Sequence, residues 1–192
     1  MANTSYINGF LPVKKTGGGT VEAIGPYPVT TETEINVGDV VTLVDQGSTT
    51  SLDVYTATTT VGNIGIAASY AAATDTAAEI MVWPGMPDVI FQCQQGASGG
   101  AGLVALGGIG KCADAVVATG IQESGAYGTV GQSRSGHYLN DTVSNDGLFH
   151  IVQLAQIPDA NGDDNAYGSN SKVWVTFNEG AWIGTADGIA DV

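Results

Sequence analysis

The chain has 192 residues and a formal net charge of −14, from 5 Lys and Arg against 19 Asp and Glu. Binding to nucleic acid or to an anionic membrane surface requires clustered cations, so this charge excludes both as expected partners. Hydrophobic residues make up 43% of the chain and charged residues 12%, a composition typical of a folded protein. The 28 glycines and the lack of a long helical pattern favour short strands joined by turns, so we predict a mainly β fold, a compact β-sandwich or β-barrel.

Residues 1–33 are predicted to form an extended N-terminal arm. Turn-forming residues at 17–19, 26 and 28 separate isolated apolar residues, so the segment can bury no core of its own and is expected to pack on another surface. The opening MANTSYINGF lacks a basic stretch followed by an apolar run, which is the pattern of a secretory signal. We therefore expect synthesis in the cytoplasm.

A β-rich body is predicted over residues 34–178, because apolar residues there recur with the two-residue period of strands. The first strand region starts at Glu34 and contains a turn or bulge at Gly38-Asp39. Further strands are predicted at residues 52–57, 64–68, 79–83, 89–93, 148–157 and 173–177. The apolar run at 148–157 suits a strand that is covered on both faces.

The connections between these strands carry their own predictions. The Ala-rich residues 67–78 favour a short helix, although Thr74, Asp75 and Thr76 interrupt it. The sequence Pro84-Gly85-Met86-Pro87 predicts a tight turn, so the strands on either side of it are expected to pair as a hairpin. Residues 119–147 are polar and rich in Gly and Ser, which predicts a long exposed loop. The acidic residues 179–192 form a C-terminal tail.

The cysteines and tryptophans are expected to be structural. Cys93 and Cys112 lie far apart in sequence and neither belongs to a CxxC motif, so we predict two buried free thiols. Trp83, Trp174 and Trp182 could form a sugar-stacking surface, but each fits a core or subunit-contact position better.

Two glycine-rich stretches resemble phosphate-binding loops only superficially. Gly17-Gly18-Gly19-Thr20 follows Lys14 and Lys15, whereas a phosphate-binding loop needs its Lys after the last Gly and at the start of a helix. Residues 107–110 lack the preceding strand and the acidic residue of a dinucleotide-binding turn. We interpret the first stretch as a flexible hinge.

Residues 159–165 offer several oxygen ligands of the kind that calcium prefers. An EF-hand loop needs Gly at its sixth position, where Asp164 stands, and Glu at its twelfth position, where none occurs. An ordinary Asx-rich turn is the better interpretation, so no metal site is predicted.

One segment contains the residue types of a hydrolase triad, namely Ser133, Ser135, His137 and Asp141. Residues so close in one Gly-rich loop seldom hold triad geometry, which normally draws on separate rigid elements. His137 is therefore interpreted as a solvated loop residue, and His150 as part of a strand. Since the chain has 2 histidines in total, we expect no catalytic residue, no cofactor and no enzymatic activity.

Three stretches resemble the decoration, or cement, proteins of tailed-bacteriophage capsids. Residues 3–13, NTSYINGFLPV, resemble the start of that family, with an aromatic residue, Asn-Gly-Phe and Pro-Val before the basic Lys14. Residues 80–94 resemble its central part, with a strand, Pro-Asp and the strand VIFQCQ. Residues 151–177 resemble its closing part, with an apolar strand, a Pro-Asp loop and KVWVTFN.

The resemblance implies a β-rich protein on the outer surface of an icosahedral head, clamping adjacent copies of the major capsid protein, with a trimer as the expected oligomer. The capsid contact is predicted at the following residues of the N-terminal arm: Phe10, Leu11, Val13, Lys14 and Lys15. The two lysines are expected to meet acidic groups on the shell. Extended arms that lie across a neighbour and the avidity of a repeated lattice agree with this interpretation.

The main alternative is a head-fibre or spike protein that binds a receptor or a glycan. It would use the loop at residues 122–146 and the tryptophans as its binding face. A glycan array distinguishes the two functions. An enzyme is the third alternative, and it would need a second histidine or an acidic pair near His137 in space.

Overall fold

A computed structural model of the chain describes residues 7–30, 33–45, 50–56, 63–96, 108–117, 135–158, 162, 164–168 and 170–178. Within these residues the fold is mainly β, as predicted. The strands are β1 (Leu11–Lys15), β2 (Ile24–Pro28), β3 (Val40–Asp45), β4 (Thr50–Val54), β5 (Asn63–Ala67), β6 (Glu79–Pro84), β7 (Val89–Gln94), β8 (Cys112–Ala113), β9 (Ala115–Val117), β10 (His137–Leu139), β11 (Phe149–Leu154) and β12 (Lys172–Phe177). Among the described residues, no helix has the length and apolarity needed to span a membrane.

The first sheet has the strand order β1-β7-β12-β11-β8, and all its neighbouring strands are antiparallel. Every second residue of β7, β11 and β12 points to one apolar core, as the two-residue period requires. Phe149 lies at the centre of this core, stacked on Phe10 and tilted against Phe177. The predicted strand at 148–157 is confirmed, although its outer residues His150 and Val152 are only half-buried.

The second sheet has the strand order β2-β6-β5-β3-β4 and surrounds a smaller apolar cluster. The sheet curls until its two edge strands approach each other. There Val29 forms a single parallel bridge with Leu52, and the amide of Thr30 donates a 2.8 Å hydrogen bond to the Leu52 carbonyl. One bridge does not close a barrel, so the arrangement is sandwich-like. A short pair, β9 and β10, lies beside the first sheet.

The predicted hairpin between residues 79–83 and 89–93 is wrong, because β6 belongs to the second sheet and β7 to the first. The closing pair of that hairpin would be Pro84 and Pro87, and proline has no amide to donate to a ladder. The connection therefore passes from one sheet to the other. A Cβ atom at Gly85 would lie 3.0 Å from the ring of Phe177, so the crossing chain fits closely over the first core.

The predicted short helix at residues 67–78 is also wrong. Ala67 ends β5, Ala71 forms a bridge with Ile35, and turns follow. The side chain of Asp75 accepts a 3.1 Å hydrogen bond from the amide of Ala77, which is an Asx turn that competes with helix formation.

The N-terminal segment packs on its own chain over the residues that are described. Phe10 is fully buried, β1 pairs with β7, and β2 pairs with β6. Part of the predicted loop at 119–147 also enters the fold, since residues 137–139 form β10. The C-terminal tail at 179–192 lies outside the described residues.

Candidate functional site

The outer face of the first sheet carries two lysines beside a tryptophan. Lys14 lies on β1 opposite Ile90, and Lys172 lies on β12 two residues before Trp174, on the same face of that strand. Lys15 is opposite the core residue Val89 and so lies on the other face of the sheet. We call Lys14, Lys172 and Trp174 the basic patch, which holds two of the 5 Lys and Arg of a chain that carries 19 Asp and Glu.

The centre of the basic patch is a cation–π contact. The Nζ atom of Lys14 lies 4.8 Å from the centroid of the Trp174 ring, which is within the range of such contacts. Trp174 is half-buried, and its indole Nε1 is covered but has no hydrogen-bond partner among the described residues. A covered N–H without an acceptor costs free energy. The structure thus tolerates an unpaired donor beneath the centre of the basic patch.

The structure divides the residues predicted for the capsid contact into two groups. Phe10 is 0% exposed, and its ring centroid lies 4.4 Å from that of Phe149, so it is a core residue. Leu11 and Lys15 are half-buried, whereas Val13 and Lys14 are exposed. Sequence reasoning did not select Lys172 for this surface, because the pairing of β12 next to β7 could not be predicted.

Strand β1 is an edge strand that is protected against pairing with another strand. It bonds to β7 on one side, Pro12 lacks an amide, and the register shifts between Pro12 and Lys14. Proline, lysine and bulges are the devices by which edge strands avoid further pairing. Contact with a partner at β1 is therefore favoured through side chains rather than through an added strand.

The acidic residues of the described part of the chain leave the basic patch without an ion pair. Asp39 pairs with His137, away from the patch. Lys111, near β8, lies on the opposite edge of the same sheet, and Arg134 lies outside the described residues.

His137 is not the solvated loop residue that the sequence predicted. It is 1% exposed and lies in β10, and its Nδ1 is 3.0 Å from Oδ1 of Asp39 and 3.2 Å from the amide nitrogen of Val40. Its Nε2 is 3.2 Å from the Tyr55 carbonyl oxygen. These contacts hold both ring nitrogens against polar groups of other parts of the chain. The loop prediction failed because Asp39 is distant in sequence and gives no local signal.

The Ser, His and Asp residues near position 137 do not form a triad in the described residues. Ser135 is fully buried, and its hydroxyl accepts a 3.1 Å hydrogen bond from the amide of His137, not from the ring. Asp141 lies near Tyr138 instead, and burial together with the charge of Asp141 raises the pKa of that tyrosine. Ser133 lies outside the described residues.

In the Asx-rich turn predicted at residues 159–165, Asn165 has a structural role. The Asn165 side-chain amide donates 2.7 Å hydrogen bonds to the carbonyls of Ala155 and Lys172, and its oxygen accepts one from the Lys172 amide. These bonds tie the end of β11 to the start of β12. Asp159, Asn161 and Asp163 lie outside the described residues. Within the described ranges, no cluster of three or more His, Cys, Asp or Glu could hold a metal ion.

The two cysteines are buried free thiols, as predicted. Burial raises the pKa of Cys93 well above its usual value.

Of the two tryptophans outside the basic patch, Trp83 packs against the apolar core of the first sheet, while Trp182 lies outside the described residues. Gly18 and Gly19 lie in the turn after β1, with open space around them. Their φ values of 82° and 98° are in the region that glycine adopts without strain, so both residues have a conformational role in this turn.

Comparison with protein-family models, with curated proteins and with solved structures gave no significant match. The arguments for function therefore come from the chain's own residues and geometry.

Proposed function

We propose that this chain is a non-enzymatic decoration protein that binds the outer surface of a tailed-bacteriophage head and stabilises its lattice of major capsid protein. Its basic patch contacts acidic groups on the shell, and the chain acts as a homo-oligomer, a trimer at local threefold positions. The observation that carries the proposal is the concentration of cations around Trp174 in a chain of net charge −14.

Charge asymmetry orients such a protein on a surface. An acidic molecule with one basic face is attracted to an acidic surface through that face and repelled through the others, within about 10 Å at ordinary salt. The cation–π contact holds Lys14 over the ring of Trp174, so an arriving carboxylate meets a cation in a fixed position. Several copies on a repeated lattice add avidity to a weak single contact.

The Asn-Gly-Phe motif at residues 8–10 supports the patch indirectly by anchoring β1 to the body. Gly9 has φ of 67°, and a Cβ atom there would lie 2.5 Å from the Gly38 carbonyl oxygen and 2.6 Å from the side chain of Ser135. Only glycine, which has no Cβ atom, allows the backbone at position 9 to lie this close to Gly38 and Ser135. The amide of Phe10 donates a 2.9 Å hydrogen bond to the same carbonyl. The motif thus fixes the start of the strand that carries Lys14.

The alternative of a receptor- or glycan-binding spike depends mainly on the loop at 122–146 and on Trp182. Most of these residues lie outside the described part of the chain. Of the other tryptophans, Trp83 packs against the core and Trp174 is partly covered. No observation favours the alternative over the decoration function.

A pair of charge reversals tests the proposal. We expect Lys14→Glu to weaken binding to heads of the phage that encodes this chain by about fivefold or more, because one attraction becomes a repulsion. Lys111→Glu changes the net charge equally at another exposed position of the same sheet and should leave binding unchanged. The measurement is the number of copies that sediment with purified heads at increasing protein concentration, at low and at physiological salt.

The two variants should melt at the same temperature as the parent chain, since both lysines are exposed. If Lys14→Glu and the parent chain bind heads equally, the basic patch is not the contact. Equal loss in both variants would mean that only net charge matters.

A further inference from the structure

The outer face of the first sheet brings together a thiol and an imidazole. Cys112 on β8 is directly opposite His150 on β11, and its Sγ lies 4.0 Å from Nδ1 of the ring. The backbone amide and carbonyl of Cys112 both bond to Ser144, on the side away from β11. Cys112 and His150 therefore form a non-hydrogen-bonded antiparallel pair, the kind in which opposed side chains are closest.

The second cysteine provides an internal contrast. Cys93 is 3% exposed and belongs to the apolar core of the first sheet, surrounded by hydrophobic side chains. Burial there disfavours the thiolate, which is the reactive form of cysteine. Cys112 lies on the other face of the sheet, outside both apolar clusters, with a base opposite it.

Cys112 is 6% exposed, against 3% for Cys93, so a reagent reaches it through local opening of the sheet edge on which it lies. Strand β8 has two residues and is the last strand of its sheet, and its flanking residues Lys111 and Asp114 are exposed. His150 is half-buried, so one side of the pair lies close to solvent. Apart from its pairing with β11, β8 is held by the two backbone hydrogen bonds between Cys112 and Ser144, so local opening of this edge breaks fewer contacts than global unfolding does.

We propose that Cys112 and His150 form a reactive thiol–imidazole pair that takes low-molecular-weight disulfides. His150 Nδ1 accepts the thiol proton, and the Cys112 thiolate attacks one sulfur of the disulfide. A bond forms between the two sulfurs while the disulfide bond breaks. The second half of the reagent leaves as a thiolate and takes up the proton. Cys112 is oxidised to a mixed disulfide, and the departing thiol is the reduced product.

This inference is independent of the decoration function, because the pair lies on β8 and β11 and the basic patch on β1 and β12. A mixed disulfide at β8 would add bulk to the edge of the first sheet opposite β1. The site would thus respond to an oxidising environment without involving the basic patch.

The test uses oxidised glutathione and the folded full chain, with intact mass as the readout. We expect one glutathione adduct on the parent chain and on Cys93→Ala, and none on Cys112→Ala. In His150→Gln the rate of adduct formation at neutral pH should fall by about tenfold or more, since the general base is gone. At strongly alkaline pH hydroxide replaces the base, so the rates of the parent and of His150→Gln should converge.

His150→Asn gives a second measurement with a smaller side chain and should lose the same factor. An adduct at Cys93, no adduct on the folded parent chain, or His150 variants that react as fast as the parent at neutral pH would overturn the proposal. A loss of rate in the His150 variants that persists at alkaline pH would also overturn it, because it would mean altered packing rather than loss of a base.

Discussion

Phe149→Ala is expected to lower the free energy of unfolding by about 3–5 kcal/mol, the cost of truncating a fully buried phenylalanine. Phe149 is 0% exposed, and its ring lies 4.4 Å from that of Phe10 and 4.6 Å from that of Phe177, centroid to centroid. These contacts join the N-terminal segment to β11 and β12, so the cavity would loosen three parts of the chain together. Chemical denaturation of the parent and the variant measures the difference.

The control for this experiment is Tyr167→Ala, which also removes an aromatic ring but at a position 44% exposed. It should change the free energy of unfolding by at most about 0.5 kcal/mol, as surface substitutions usually do. An equal effect of the two substitutions would mean that Phe149 does not lie in the core.

His137→Ala is expected to lower the free energy of unfolding by about 3–5 kcal/mol, because it leaves the other member of a buried pair without its partner. Asp39 would lose the 3.0 Å contact with Nδ1, and the carbonyl of Tyr55 would lose its contact with Nε2. The pair joins β10 to the turn before β3, so its loss also separates the short β9–β10 pair from the second sheet. Denaturation monitored by tryptophan fluorescence measures the effect.

A double-mutant cycle separates the pair from its surroundings. Asp39→Ala and His137→Ala should together cost less than the sum of the two single effects, by about 1–3 kcal/mol, because each single substitution already breaks the contact. His150→Ala, at the half-buried histidine, is the control for loss of an imidazole and should have a much smaller effect. Strict additivity would contradict the pairing of Asp39 with His137.

Much of the fold could be predicted from the sequence, because the two-residue period marks a strand wherever one face is buried. The alternation of Val173, Val175 and Phe177 predicted β12, and these residues do face the core. The period breaks before β3, where Val37, two residues after the buried Ile35, is 38% exposed. Gly38 has φ of 95° there, and the chain turns before β3. Periodicity predicts a face only within a continuous strand.

Which strands pair is a nonlocal property, and the sequence was less informative about it. Short connections usually join neighbouring strands, and this preference led to the incorrect hairpin across Pro84 and Pro87. The same limit applies to the candidate sites. Asp39 and His137 are 98 positions apart, and Cys112 and His150 are 38 apart, so neither pair has a local motif. The basic patch was predicted in part, since Lys14 was selected from the sequence, whereas Lys172 was not and Lys15 lies on the other face of the sheet.

The most direct test of the proposed decoration function is cryo-electron microscopy of tailed-phage heads purified from a source whose genome carries this sequence. We expect density for the chain on the outside of the shell, repeated with the symmetry of the lattice, with Lys14 and Trp174 facing the major capsid protein. Heads that lack the chain, or that carry it with the basic patch turned to solvent, would contradict the account.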